Sequence, residues 1–269
     1  MSKKRLIIVL AILVITGFGL PLMAKLYGIL PPVITALLVL AAIVLLVVTE
    51  RKREAHEPMN EELCSDIAEL TVKAGKRNVI IAPSKRYAFS GETEGVLSYI
   101  ENGVWVVDAS KAAETAHNAE AVNISFPETM HFKRFRLESD TGSVIASGVV
   151  ADDMTLDMHG GVLDARNIFA TNLRMGCGQG KITIHAGISG DAAVSCGSGS
   201  IDFIAKNELT DFNITAMTGM GTIKAGEYRY GGEYQRSGEI NNNAAHTLKL
   251  SCGMGRISMT FRQAVTEHE

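Results

Sequence analysis

Cys177, Cys196 and Cys252 each stand three residues before a glycine in this 269-residue chain. Thiols set at matched places offer three kinds of chemistry: metal ligation, disulfide formation, or packing as small hydrophobes. No Cys-x-x-Cys spacing occurs and no histidine shares the matched position, so metal ligation has only these three thiols to draw on. Packing is the plainer reading. The fourth cysteine, Cys64, stands outside the pattern.

Other reactive arrangements fail on their spacing. Gly176 to Lys181 resembles a phosphate loop, but that motif needs glycine where Met175 stands and a hydroxyl where Ile182 stands. His117, His131, His159, His185 and His246 share no column and have no nucleophile at repeat spacing. Asp152 and Asp153 are adjacent, a spacing that in a strand turns them to opposite faces, and they read as a solvated turn. Calcium-binding β-rolls require acidic turns, whereas these turns hold Ser, Cys, Met and Gln. The inventory predicts no enzyme and no cofactor.

The elements that place these residues follow from a repeat. Gly142, Gly161, Gly180 and Gly199 are spaced by 19 residues, and Gly221 and Gly255 follow after 22 and 34. Two residues past each glycine come Val144, Leu163, Ile182, Ile201, Ile223 and Ile257. A step near twenty with strand-like alternation predicts stacked coils, each a strand, a glycine corner and a second strand. The expected fold is an all-β solenoid or roll over residues 67–263, with apolar residues of period two pointing inward. The thiols then share a column with Ser139, Met158 and Thr218. The 34-residue step carries an insertion with Tyr228, Tyr230 and Tyr234, either a partner-binding loop or a segment packed back on the domain's end.

The N-terminal part has a different character. Residues 6–23 and 29–48 carry no charge and are each long enough to span a bilayer, predicting a two-span hairpin over residues 1–53. A polar linker at 54–66 and a polar tail at 264–269 flank the repeat domain. Lys3, Lys4 and Arg5 precede the first run, and Arg51, Lys52 and Arg53 follow the second. That bias predicts a multi-pass membrane protein with both ends, and the repeat domain, in the cytoplasm. Of 26 basic residues seven fall within residues 1–53, and of 29 acidic residues only Glu50 does, leaving 19 against 28 beyond. An acidic remainder without a basic stripe excludes nucleic-acid binding.

Ala121–Ala146, with its strand, proline turn and first repeat, and the NNNA stretch leading into LKLSCGMGRISMTF carry a resemblance. With Leu70–Pro83 and Glu101–Val107 they resemble the bacterial "putative adhesin" domain of unknown function, a β-strand-repeat family. The resemblance implies a β-solenoid-like domain tethered to a membrane, with no catalytic residues to carry over. The function expected is therefore a membrane-tethered module for protein interaction, scaffolding or envelope regulation. Its partners would be the bilayer, through residues 6–48, an unidentified protein, and further copies of itself through open coil ends. An extracellular adhesin and a thiol- or metal-sensing domain are the alternatives.

Overall fold

The computed structural model describes residues 67–91, 93–110 and 121–262, all within the unit Ala55–Glu269. The expected hairpin of residues 1–53 with its bilayer-contacting runs, the linker 54–66 and the tail 264–269 lie outside the described residues. The multi-pass placement with a cytoplasmic domain is corrected: no helix among the described residues is long and apolar enough to cross a membrane. The described elements are strands, with a single three-residue 3-10 turn at Leu209–Asp211.

Nineteen strands follow one another: β1 (Glu69–Gly75), β2 (Val79–Ser84), β3 (Ala88–Gly91), β4 (Leu97–Glu101), β5 (Val104–Asp108), β6 (Val122–Pro127), β7 (Phe132–Ser139), β8 (Ser143–Ser147), β9 (Val150–Met158), β10 (Val162–Cys177), β11 (Lys181–Ile188), β12 (Ala192–Cys196), β13 (Ser200–Ala205), β14 (Phe212–Thr218), β15 (Thr222–Ala225), β16 (Tyr228–Gly231), β17 (Ser237–Ile240), β18 (His246–Cys252) and β19 (Arg256–Thr260). Their register resolves into two ladders. The first runs β4, β5, β1, β7, β9, the second half of β10, β12, β18, β14, β17. The second runs β3, β6, β2, β8, the first half of β10, β11, β13, β19, β15, β16. Pairing is parallel except at the outermost strands, which cap each ladder antiparallel.

Each coil gives one strand to each ladder, and inward residues fill the space between. Val122, Val79, Val144, Leu163, Ile182, Ile201, Ile257 and Ile223 form one unbroken register column. All eight are at most 1% exposed. Such aliphatic side chains each contribute about 2 kcal/mol on leaving water. β-Branched residues suit this column because a pleated, packed surface accepts their stiff side chains. β10 serves both ladders without a break, bending at Asn167, whose φ of 54° relaxes the corner.

The stacking order differs from the order along the chain. The last coil, β18 with β19, slots between the coils of β12–β13 and β14–β15. At the other end β1 and β2 lie inside β5 and β6. The glycine column accordingly reads Gly142, Gly161, Gly180, Gly199, Gly255, Gly221. Close approach explains these glycines. A Cβ on Gly180 would lie 2.6 Å from the Gly161 carbonyl oxygen, and one on Gly221 would lie 2.5 Å from that of Gly255. Of the six, only Gly161 has a positive φ, 70°.

Candidate functional site on the outer face of the first ladder

The stacking order makes Cys177, Cys196 and Cys252 consecutive, with Met158 before them and Thr218 after. All three are buried and free. Their neighbours explain the position: Thr218 Oγ1 donates to the Gly221 carbonyl at 2.8 Å, and Cys177 Sγ donates to that of Gly180 at 3.1 Å. At Cys177 and Thr218 the column residue closes its glycine corner with a hydrogen bond, whereas Met158 fills the same place by packing alone. Burial first, and Cys196 second, push the Cys177 thiol up to about 11, and the same causes raise Cys252. Protonated thiols of this kind are poor nucleophiles and poor metal ligands. Among the described residues, no three His, Cys, Asp or Glu side chains are grouped to hold a metal ion.

The remaining sequence candidates are separated. Asp152 and Asp153 lie in β9, so the solvated turn read from their sequence is corrected to a strand. Both are exposed there; Asp152 meets His131 at 2.8 Å and Asp153 accepts from Asn172 at 3.0 Å. The tyrosine insertion forms β16, the following turn and β17, which cap the two ladders. Tyr230 is buried with its ring against Gly238, whereas Tyr228 and Tyr234 are 37% and 55% exposed.

Two rows of the first ladder's outer face form a more extended arrangement. Eight residues before the column glycines lie Arg134, Asp153, Asn172, Asp191, Thr247 and Asn213, continued by Glu69 on β1. Hydrogen bonds join the row: Arg134 to Glu69 at 2.6 Å, Asn172 to Asp153 at 3.0 Å, and the Asp191 amide to Asn172 Oδ1 at 3.3 Å. Asp191 Oδ1 accepts from the Thr247 amide at 2.8 Å and its hydroxyl at 3.1 Å. The Thr247 amide above all holds the Asp191 carboxyl below its ordinary range. Hydrogen bonding to Glu69 likewise raises Arg134.

Six residues before the glycines lie Arg136, Thr155, Arg174, Ala193, Lys249 and Thr215, one from each successive coil. Cations thus alternate with short side chains. Among the described residues, none of the three cations forms an ion pair. Between Arg174 and Lys249 a groove of about 540 Å³ opens over Ala193, bordered by Asp153, Asn172 and Asp191. A second depression of about 530 Å³ continues over Gly176, Ser195 and Ser251. The sequence reading singles out none of these outward positions; counting back from each glycine is the signal that finds them.

A family model describing the Toastrack DUF4097 domain matches residues 64–260, most of the chain. The chain belongs to the Toastrack DUF4097 family. The Toastrack chain is also similar to a solved structure described as a "putative cell adhesion protein" from Clostridium sporogenes, at 12% identity and a TM-score of 0.36. That match covers 77% of this chain and 98% of the other. A "putative adhesin" from Bacteroides fragilis matches at 10% identity and a TM-score of 0.31, covering 72% and 92%. No curated protein matches.

Proposed function

We propose that this Toastrack domain is a non-enzymatic interaction module that takes a protein segment on the outer face of its first ladder. The observation that carries this reading is the row Arg136, Arg174, Lys249, exposed, free of ion pairs and separated by short side chains. Strands lie about 4.8 Å apart, so alternate coils set these cations about 9.6 Å apart. A polyproline II segment advances about 9.3 Å per three-residue turn. An acidic residue at every third position would therefore meet successive cations, with one side chain in the groove over Ala193. The bonded row beside it is already ordered, so it adds little to the cost of ordering the cations on binding. Adhesion and scaffolding are both served by such a face.

The ends of the ladders support a lateral surface in place of coil-to-coil self-association. Each is closed by strands of only four or five residues, and short capping strands blunt edge pairing. The test is a fluorescent peptide of repeated Glu-Pro-Pro titrated into the full chain. Binding that weakens at least tenfold in Arg174→Glu/Lys249→Glu, at an unchanged melting temperature, is expected. Absence of binding, or equal binding by the charge-reversed variant, overturns the reading.

A further inference from the structure

Lys224 on β15 and Arg229 on β16 are direct antiparallel partners on the outward face of the second ladder. Like charges facing one another across a ladder are destabilising. Among the described residues neither side chain has a carboxylate within ion-pair distance. The pairing also runs against the composition, since beyond residue 53 acids outnumber bases 28 to 19.

This pair borders a cavity of about 360 Å³, within the range of small-ligand sites. Its wall is made by the turn that follows β16. Gly231 and Gly232 take φ of 86° and 61°, and the Tyr234 amide donates back to the Gly231 carbonyl at 3.0 Å. The Gly231 amide donates to the Gln235 carbonyl at 2.9 Å, so the turn is closed. It carries Glu233 and the exposed ring of Tyr234 to the rim. Arg256, in register with Thr222, also lines it and meets Asp202 at 3.4 Å.

We infer that this cap cavity binds an acidic sugar, its oxyanion between Lys224 and Arg229 and its ring face on Tyr234. The two cations, left unneutralised by the protein, call for an oxyanion. Glu233 and the hydroxyl of Ser258 supply the acceptors and donors that sugar hydroxyls need. A sugar ring offers a flat apolar face to the exposed aromatic ring at the rim. The site is separate from the first-ladder face, and its partner differs.

Calorimetric titration of the full chain with a galacturonic acid pentamer, against a neutral glucose pentamer, tests it. The acidic pentamer should bind and the neutral one should not. Lys224→Gln/Arg229→Gln should weaken binding at least tenfold while the melting temperature stays equal or rises, because a repulsive pair has been removed. Tyr234→Ala should weaken the pentamer severalfold and leave sulfate binding unchanged. Equal affinity for both pentamers, or for an oligoglutamate, overturns the assignment, as does undiminished binding by the double variant.

Discussion

The thiol of Cys177 donates to the carbonyl oxygen of Gly180, three residues on, at 3.1 Å, closing the corner between the two ladders. Thr218 and Gly221 repeat the contact at 2.8 Å with a hydroxyl. At these two corners a small donor is in place, although the column also accepts Met158 one coil earlier. Cys177→Ser keeps both properties and should cost no more than about 1 kcal/mol. Cys177→Val removes the donor and adds a branch in the space that Gly199 leaves open by lacking a Cβ, and should cost about 2 kcal/mol or more. Urea denaturation of the two variants checks the ordering; equal losses would show that packing alone sets the position.

The same burial makes the domain sensitive to alkali. The Cys177 thiol is raised from 9.0 to about 11 when folded. Below 9 it is protonated in both states, and its contribution is intact. Between 9 and 11 the unfolded chain ionises while the folded one does not, so stability falls as pH rises. Wild type should lose more melting temperature across that window than Cys177→Ser, in which nothing titrates at this position. Parallel curves would rule the thiol out as the source.

Gly180 should tolerate no side chain. Its missing Cβ leaves room for the Gly161 carbonyl, 2.6 Å from where that atom would stand. Gly180→Val should cost about 3 kcal/mol or more by forcing adjacent coils apart. An unchanged chemical midpoint would mean that the corner has room the geometry does not show.

Much of this fold is legible in the sequence. The 19-residue step and the aliphatics two residues past each glycine repeat in register, because stacked strands place equal positions above one another. The stacking order was not legible. Steps of 22 and 34 give the same side-chain parity whether the chain stacks sequentially or doubles back. The neighbours of Cys252 followed from that order: it sits against Cys196 and Thr218 because β18 enters between β12 and β14. The row of Arg136, Arg174 and Lys249 was hidden for the same reason, since its alternation exists only after reordering. The acidic pair Asp152 and Asp153 looked like a turn because two adjacent polar residues break the alternation that β9 otherwise keeps.

That entry of the last coil has a consequence for assembly. Among the described strands, β14 to β17 pair with the rest of the ladders only through β18 and β19. A chain ending at residue 245 should keep residues 132–205 ordered and release 212–240. Hydrogen exchange resolved by peptide should show fast exchange in the released region alone. Continued protection there would mean that the cap docks without its wedge.

Asp191 ties the outer row across two coils distant in sequence, accepting both the amide and the hydroxyl of Thr247. Those bonds favour the charged carboxylate and hold its pKa down, led by the Thr247 amide. A depressed acid stabilises the fold above its unfolded pKa, and the contribution fades as pH falls through the ordinary carboxylate range into the lowered one. Asp191→Ala should therefore lower the melting temperature at pH 7 and flatten its acid decline below about pH 4. Because Asp191 also borders the groove over Ala193, the variant should weaken the Glu-Pro-Pro peptide less than Arg174→Glu does. A larger loss from Asp191→Ala would make the row's alignment, and not its cations, the recognition element.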